Sequence, residues 1–539
     1  MAKEILLSSE IRNKIKSGVE KLNNAVRFTL GPKGRNVLIS SDYGAPLIIN
    51  DGASIVKSIE LKDDFENMAS KALALASIKT NDVVGDGTTS AVVVASSIIT
   101  EGIDKISNGI NPVELRKGLN YYLPIIIDYI KQNSKQIITD EDIYKVAYVS
   151  SGSSEVASLI KDAYKNTSKD TVITLEASQG IETSLVLVNG YSYDRGYLSS
   201  YMASTNKKEA ELVNPYVLIL NKKINNMNEL VPFLEVAIKD NLPILIICDE
   251  IEQDVLNALV VNKLRGIVNV VVTKAPSFGN KKTQMLEDIA VLTNAKFVKD
   301  ASFELPNLEN NALGRSKKII VSNTNTIIIS DNKKEIDDRI KELKEELINT
   351  SSEYDKEKLQ ERIAKLVGGI AIIKVGALTE IEQKERQLLI EDAVCATKAA
   401  ISSGVIPGGG KVFFEISEEL KSDKYKEHIS SKELLISALK KPFFQILENC
   451  GISFESIKDK LNNKMWFNAT SETIEDYSQM NIIDPTSVAI AVISNAVSIS
   501  SILLTTECGI VDINKNKEEV NEDNLLWWII MMKKHYLNN

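Results

Sequence analysis

The residues best suited to chemistry form one short stretch, from Asn81 to Ser90, with the sequence NDVVGDGTTS. Two glycines flank an acid, Asp86, and two threonines and a serine follow in the first turn of a predicted helix from Thr88 to about Ile106. Free backbone N–H groups at a helix start attract anions, and hydroxyl groups there add donors. Because a carboxylate would repel a bare phosphate, the pattern indicates a bridging divalent cation, and Mg2+ favours such oxygen ligands. The competing interpretation is an Asx-type turn that only caps the helix.

Two more glycine-rich loops and three more acids accompany this stretch. The loops are residues 29–34 and 408–410, and the acids at positions 51, 392 and 484 lie beside loops or helix starts. Phosphoryl transfer requires phosphate cradles, a metal and a carboxylate that orients the attacking water. Neither GxxxxGK followed by Ser or Thr nor a strand-linked GxGxxG is present, so the sequence supports neither a Walker-type nor a Rossmann site. The chain therefore holds the pieces for phosphoryl transfer without a Walker lysine.

Composition restricts the class of protein. The 539 residues are 44% hydrophobic and 25% charged, which is typical of a soluble globular chain of roughly three to four domains. The net charge of −9 argues against a general nucleic-acid-binding protein. Four cysteines without a CxxC pair and only two histidines argue against a structural zinc site or a histidine-based triad, and they indicate a reducing compartment.

The N-terminus and one apolar span bear on localisation. The first residues carry acids early and show no signal-peptide or transit pattern, which favours the cytoplasm. Residues 486–506 are uncharged and long enough to cross a bilayer. Serine and asparagine residues interrupt this span, so we predict a buried helix that packs through small residues, and no membrane contact.

Hydrophobic spacing predicts mostly helices towards both ends of the chain and alternating strands and helices in the middle. Residues 8–28 form a predicted helix, residues 47–49 enter a hairpin-like turn at Asn50–Gly52, and helices continue to about Gln132. From about residue 133 strands alternate with helices, and a charged helical hairpin with apolar stripes at 336–347 and 359–366 follows. Residues 411–512 are again mostly helical. We expect a helical domain assembled from both termini, with an α/β module inserted between two connecting segments.

Motifs along almost the whole chain resemble those of the group I chaperonins, the GroEL family. They are Thr29–Asn36, Asp51–Gly52, Gly85–Thr89, Asp194–Leu198, Lys274–Pro276, Lys358–Arg362, Gly404–Gly410, Asp484–Pro485 and Thr505–Glu507. The resemblance runs in unbroken order from residue 2 to about residue 513 and implies a mixed α/β multidomain fold. The implied parts are an equatorial domain (1–132 and 403–513), an intermediate domain (133–189 and 370–402), an inserted apical domain (190–369) and a flexible tail (514–539).

The resemblance also implies an ATP site in the helical equatorial domain and an ATPase activity. The nucleotide-binding residues would be Thr29, Leu30, Gly31, Pro32, Asp86, Gly87, Thr88, Thr89, Ser90, Gly409, Asn468 and Asp484, and Asp86 would also hold Mg2+. Asp392 would position the hydrolytic water, and Asp51 would assist near the γ-phosphate. From the residues alone, Asp392 is more simply a solvated helix carboxylate and Asp484 a turn or helix cap.

Eight residues match the apical groove with which this family binds non-native polypeptides and the mobile loop of a co-chaperonin. They are Tyr197, Tyr201, Met202, Val231, Leu234, Leu256, Val260 and Val261, and the competing interpretation is that they are core positions. The implied protein is an ATP-dependent molecular chaperone that captures non-native proteins, encloses them with a GroES-like heptamer and promotes their folding. Its implied assembly is two stacked heptameric rings, and its implied cofactors are ATP, Mg2+ and K+.

Several positions depart from the family pattern. Asn50 stands where lysine is usual, which affects the potassium and phosphate environment. Ser90 replaces a common threonine, Thr470 a small alanine, and Pro407 precedes the glycines where alanine is common. The tail carries LLWWIIMM and no Gly-Gly-Met repeats. Asn50 and this tail motivate an alternative, a chaperonin-derived protein-binding or surface protein with weak or lost ATPase cycling.

Overall fold

The structure is a computed structural model that describes most of the chain. The described residues are 2–40, 46–137, 139–165, 172–178, 180–188, 190–204, 209–297, 312–330, 332–350, 356, 359, 362, 363, 366, 369–422, 424–462 and 464–512. The chain divides into two units, the first made of Met1–Ile137 and Cys395–Asn539 and the second of Ile138–Val394. Both ends of the chain thus contribute to the first unit. The finer division of the second unit into intermediate and apical domains stays a prediction, and the tail lies outside the described residues.

The helices and strands within these residues are named in chain order. The helices are α1 (Ser8–Val26), α2 (Gly52–Ser58), α3 (Asp64–Val84), α4 (Thr88–Ser107), α5 (Pro112–Gln132), α6 (Asp140–Ser151), α7 (Ser154–Lys165), α8 (Val231–Lys239), α9 (Gln253–Leu264), α10 (Gly279–Thr293), α11 (Lys333–Asn349), α12 (Glu380–Ser403), α13 (Lys411–Glu419), α14 (Ile429–Asn449), α15 (Phe454–Ile457), α16 (Tyr477–Met480) and α17 (Thr486–Leu504). The strands are β1 (Lys3–Leu7), β2 (Val37–Ile39), β3 (Leu47–Ile49), β4 (Val172–Ala177), β5 (Ser184–Val188), β6 (Gly190–Tyr193), β7 (Ala210–Val213), β8 (Tyr216–Ile219), β9 (Lys223–Ile224), β10 (Ile244–Cys248), β11 (Glu250–Ile251), β12 (Val270–Lys274), β13 (Gly314–Arg315), β14 (Lys318–Val321), β15 (Thr326–Ile329), β16 (Ile370–Val375), β17 (Val405–Pro407), β18 (Met465–Asn468), β19 (Thr473–Asp476), β20 (Ile483–Pro485) and β21 (Cys508–Asp512).

Helix α4 is the centre of the first unit. It packs against α1, α3, α14 and α17, and its run Ala91–Ile99 is buried at every position. A helix that is apolar all round must be covered on every side, and its neighbours supply that cover. Helix α17 is long and apolar enough to cross a membrane, yet 61% of its most apolar window is buried, and it packs on α3, α4 and α5. This is the buried packing helix that the sequence predicts.

Short antiparallel strand pairs complete the first unit. Strand β1 pairs with β21, so that Lys3 lies opposite Asp512, and β17 pairs with β20, so that Ile406 lies opposite Asp484. The predicted hairpin-like turn at Asn50–Gly52 is wrong. Strand β3 pairs with the preceding β2, and Asp51 caps α2 by accepting from the N–H groups of Ala53 and Ser54. Capping prevails because it satisfies N–H groups that have no partner inside the helix.

The second unit contains the predicted α/β module. Strands β8, β10 and β12 run parallel with almost all residues buried, and the short β13 pairs antiparallel with β8 at the edge of the same sheet. The alternating helices α8, α9 and α10 belong to the same core. A parallel sheet is covered on both faces, which explains its continuous apolar runs. Strands β6, β15, β14 and β7 form a second sheet, and β4, β16 and β5 a third.

The predicted helical hairpin is present as far as the described residues show it. Its first arm is α11, and residues 359, 362, 363 and 366 of the second arm are helical. Leu343, Leu359 and Leu366 are buried in the core of the unit, as the stripes predict. The Arg362 guanidinium makes two hydrogen bonds of 2.9 and 2.7 Å with the buried Asp288 of α10. This ion pair fastens the second arm to the α/β module.

Candidate functional site

The Asp86 loop joins two helices of the first unit through two glycines in the left-handed region. Gly85 (φ 75°) ends α3 and Gly87 (φ 87°) precedes α4. Space excludes side chains there too, because a Cβ on Gly85 would lie 2.2 Å from the Cβ of Cys395. A Cβ on Gly87 would lie 2.8 Å from Val492 Cγ2 of α17. The loop is therefore fixed, with Asp86 partly buried between the two glycines.

The start of α4 carries no side-chain cap within the described residues, in contrast to α2, α3 and α5. Asp86 accepts a hydrogen bond from the Gly87 N–H and does not cap α4, so the Asx-type capping interpretation is wrong. The first-turn N–H groups have no intrahelical acceptor and remain for an anion. Thr88 is 5% exposed, and its Oγ1 has no partner among the described residues. An unsatisfied buried hydroxyl costs about 1–3 kcal/mol, so this is a place where a polar ligand is expected.

Three carboxylates share the electrostatic field of this loop. Burial raises the pKa of Asp86, and the negative charge of Asp51 raises it further. The hydrogen bond from the Gly87 N–H acts in the opposite direction and lowers it. Burial and the charge of Asp86 raise the pKa of Asp484 to about 7, although the Gly409 N–H acts in the opposite direction. Like charges held together out of water disfavour ionisation, and a cation relieves that cost. Within the described residues no three His, Cys, Asp or Glu side chains are grouped so that they could hold a metal. A Mg2+ ion here would need phosphate or water oxygens to complete its ligand set.

The loop after α1 is held against α14 and reaches the same place. Asn449 Nδ2 donates to the carbonyl oxygens of Arg27 and Leu30, at 3.2 and 2.8 Å. Thr29 Oγ1 lies 3.3 Å from Thr89 Oγ1. A Cβ on Gly52 would lie 2.2 Å from the same Thr89 Oγ1, so the start of α2, with Asp51, lies beside it. Within this loop Gly31 is in the left-handed region (φ 83°), and Pro32 is exposed.

Asp484 and the glycine turn form the third side of the site. The Gly409 N–H donates to Asp484 Oδ2 at 3.2 Å, and a Cβ on Gly408 would lie 2.6 Å from Asp484 Oδ1. Helix α17 begins two residues after Asp484, and its Val488 and Val492 side chains lie beside Gly87. No side chain caps α17 within the described residues, so the helix-cap interpretation of Asp484 is wrong.

Two predicted residues are placed differently from the rest. Asn468 ends β18, and its amide accepts from the Thr470 N–H at 3.0 Å and donates to Glu475 at 3.1 Å, so both ends are engaged within the β18–β19 hairpin. Asp392 lies on α12 at a partly buried position and belongs to the second unit. The nucleotide-site roles of both residues stay predictions.

Sequence reasoning missed Asn449 and Tyr477. Asn449 holds the loop after α1, and the Tyr477 hydroxyl accepts from the Gly408 N–H at 2.8 Å and donates to the carbonyl of Ile482. Neither residue belongs to a glycine-rich motif or to an apolar period. Tyr477 is close in sequence only to Ile482, and the Arg27 and Leu30 carbonyls that Asn449 holds are far from it in the chain, so no local pattern marks either residue.

The eight predicted client-binding residues separate into two groups in the second unit. Tyr201 and Val261 are 66% and 44% exposed, and Tyr197, Val231 and Val260 are partly buried. Met202, Leu234 and Leu256 are 1%, 5% and 7% exposed, so for these three the core interpretation is right. They belong to the core of the α/β module, where the Met202 sulfur accepts from the Val272 N–H at 3.4 Å. Exposed Leu264 and Ile267, at and just after the end of α9, were missed, although Leu264 follows Val260 and Val261 at helical spacing.

Comparison with known proteins agrees with this architecture. The TCP-1/cpn60 chaperonin family matches residues 22–514. The chaperonin gp146 from the bacteriophage EL 2 (Pseudomonas aeruginosa), crystallised in the presence of ATP-BeFx, is similar in two crystal forms. Form II has a TM-score of 0.69 at 21% identity and form I a TM-score of 0.62 at 20% identity, and each match covers 95% of this chain and 99% of gp146. The predicted chaperonin fold is thereby confirmed, and the chain belongs to the TCP-1/cpn60 chaperonin family.

Proposed function

We propose that this chaperonin binds and hydrolyses MgATP in its first unit and captures non-native polypeptides on its second. The observation that carries the nucleotide site is the start of α4, where, among the described residues, no side chain caps the helix and the buried Thr88 hydroxyl has no partner. The carboxylates Asp86 and Asp484 nearby disfavour one another's charge. N–H groups favour a bound anion, whereas nearby carboxylates repel one. Such a site therefore binds a phosphate well only when a divalent cation binds with it and bridges the carboxylate and the phosphate. The presence of ATP-BeFx with gp146 supports the same proposal.

Each part of this site has a distinct task in the proposed function. Asp86 would hold Mg2+, and the first turn of α4 from Thr88 to Ser90 would bind phosphate oxygens, with Thr29 beside Thr89. Bound Mg2+ neutralises negative charge that develops during phosphoryl transfer. Asp51 is oriented by two N–H groups of its own helix, so its carboxylate is held in one direction. Asp392 would position the attacking water.

Replacing the metal-binding carboxylate tests this function directly. In Asp86→Asn, the side chain keeps its shape but loses its charge, so we expect magnesium-dependent phosphate release to fall by about a hundredfold or more. The matched control is Asp128→Asn, an exposed acid on α5 of the same unit, which should retain the wild-type rate. Equal rates in wild type and Asp86→Asn would exclude Asp86 from the reaction.

The proposed capture surface consists of four of the exposed apolar residues on the second unit, Tyr201, Val261, Leu264 and Ile267. Such a surface selects for hydrophobicity and not for sequence, because each buried Val- or Leu-sized side chain contributes roughly 1.5–3 kcal/mol. We further propose a cytoplasmic assembly of two stacked heptameric rings that acts with a GroES-like heptamer and K+. Measuring the mass of the purified assembly tests the rings, since each chain contributes 59.5 kDa.

The second candidate function is a chaperonin-derived binding or surface protein with weak or lost ATPase cycling. Asn50, directly before the capping Asp51, is the residue that favours it, because it replaces a basic side chain next to the proposed phosphate site. Capture of a denatured protein without magnesium-dependent turnover in the wild type would support this second function over the first.

A further inference from the structure

A buried lysine lies among aromatic rings behind the glycine turn of the first unit. Lys411, the first residue of α13, is 3% exposed. Its Nζ lies 2.7 Å from Glu415 Oε1, 4.4 Å from the centre of the Trp466 ring and 5.1 Å from that of Tyr477. A buried ammonium group is tolerated only with such compensation from a carboxylate and aromatic faces. We call Lys411, Glu415, Trp466 and Tyr477 the Lys411 cluster.

The cluster fixes a hydroxyl that joins two segments of the candidate site. Tyr477 OH accepts from the Gly408 N–H at 2.8 Å and donates to the carbonyl of Ile482. The Gly408 N–H also lies 3.1 Å from that carbonyl, so the phenol reinforces an existing contact. Burial and the negative charge of Asp484 both raise the pKa of Tyr477, which keeps its O–H available as a donor at neutral pH.

This connection sets the surroundings of Asp484. Gly408 leaves room for Asp484 Oδ1, which a Cβ there would meet at 2.6 Å, and the Gly409 N–H donates to Asp484 Oδ2, so the direction of the carboxylate depends on where the turn is held. The phosphate side is supported separately, since Gly85 packs on Cys395 and Gly87 on Val488 and Val492. A carboxylate is an acceptor for hydroxyl groups, such as those of a ribose, and does not favour phosphate oxygens.

We infer that Tyr477, held by the Lys411 cluster, is a positioning residue that tightens binding of the nucleoside part of a nucleotide without acting on the phosphates. This inference rests on the proposed function, because it assumes that the α4 end receives phosphates and the Asp484 side the nucleoside. Its distinguishing feature is selectivity: a residue needed only for folding would weaken binding of every ligand alike.

The test compares two ligands on Tyr477→Phe, which keeps the ring beside Lys411 and removes only the hydroxyl. Dissociation constants of the full-length protein are measured by calorimetry for magnesium ATP and for magnesium tripolyphosphate, which lacks a nucleoside. We expect ATP to bind roughly tenfold more weakly, and tripolyphosphate to change by less than about twofold, because one buried hydrogen bond near Asp484 is lost. Tyr121→Phe, at an exposed tyrosine of α5, is the matched control and should leave both constants unchanged.

The outcomes separate the two proposals. A wild type that binds neither ligand overturns the proposed function and this inference with it. A wild type that binds ATP, combined with a Tyr477→Phe protein that binds both ligands as before or loses both equally, overturns the inference alone. Should Tyr477→Phe not fold, Lys411→Met decides, because it keeps the lysine stem, removes the charge that holds the Tyr477 ring, and is expected to give the same selective loss of ATP binding.

Discussion

Several residues of the first unit carry costs to stability that a bound nucleotide would relieve. Thr88 buries a hydroxyl that has no partner among the described residues, and Asp86 and Asp484 are carboxylates whose pKa values burial raises. In a core selected for stability alone, apolar or hydrogen-bonded side chains would be favoured at such positions. Thr88 and Asp86 lie at the start of α4, where no side chain caps the helix among the described residues, and Asp86 shares its field with Asp484; these costs are what the proposed nucleotide site would relieve.

Replacing Thr88 should therefore change stability and binding in opposite directions. Thr88→Val keeps the shape and removes the unsatisfied hydroxyl, so we expect the free energy of unfolding of the ligand-free protein to rise by about 1 kcal/mol while nucleotide affinity falls. Chemical denaturation and calorimetry measure the two quantities. Thr80→Val is the contrasting control, since Thr80 Oγ1 accepts from Asn495 at 2.8 Å and its loss should destabilise the protein. A destabilised Thr88→Val protein would show that the hydroxyl is satisfied.

Asp484 makes stability depend on pH in a defined direction. Its pKa is raised from 3.8 to about 7, so between these values the folded protein binds more protons at this site than the unfolded chain. The free energy of unfolding should therefore fall as the pH rises from about 4 to about 7 and then level off, and Asp484→Asn should remove this part of the dependence. Denaturation of ligand-free wild type and variant at pH 5 and pH 8 measures the difference. A difference that does not change with pH would mean that Asp484 ionises normally.

At the scale of elements, what the sequence could predict depended on whether a pattern had one structural solution. The apolar run of α4 has only one solution, burial on all sides, and for α17 the interrupting serine and asparagine residues favoured a buried helix over a membrane span; both helices were predicted. Asn50–Gly52 has two, since a turn and a helix cap use the same residues, and α2 is only seven residues long, too short to show a helical period.

The faces of α9 could not be predicted for a similar reason. Leu256, Leu259 and Val260 share one side of the helix, whereas Val261 lies about 140° around it from Leu256, and the sequence does not say which of these sides meets the sheet. The structure buries Leu256 and Leu259 and leaves Val261 exposed. The roles of Tyr477 and Asn449 could not be predicted, because each residue holds a turn that is distant from it in sequence.

This division of α9 gives a prediction at the scale of the helix. Val261→Ser removes exposed apolar surface, so it should weaken capture of a chemically denatured protein without shifting the unfolding midpoint. Leu256→Ser places a hydroxyl in the core and should lower the free energy of unfolding by about 2–5 kcal/mol. Light scattering of the aggregating client and denaturation curves measure the two effects, with exposed Asn257→Ser on the same helix as the control. Unimpaired capture by Val261→Ser would remove α9 from the client surface.

At the scale of the whole molecule, the chain places its proposed nucleotide site and its proposed client surface in different units. Coupling the two sites requires that the protein change between two conformational states. To reverse a population ratio of 1:99 between these states, nucleotide must bind the favoured state about 5.5 kcal/mol more tightly than the other. In a heptameric ring that moves together, this is only ~0.8 kcal/mol for each chain (5.5 divided by 7). Small preferences at each site are then sufficient for the assembly to switch.

The measurement that tests this account most directly is the affinity of the assembled protein for one denatured client, determined without nucleotide and with saturating magnesium ATP. Asp392→Ala serves as a second sample, because it should bind ATP and hydrolyse it slowly, which prolongs the nucleotide-loaded state. The account predicts that magnesium ATP weakens client binding in both proteins, and for longer in Asp392→Ala. Client affinity that is the same with and without magnesium ATP would contradict it.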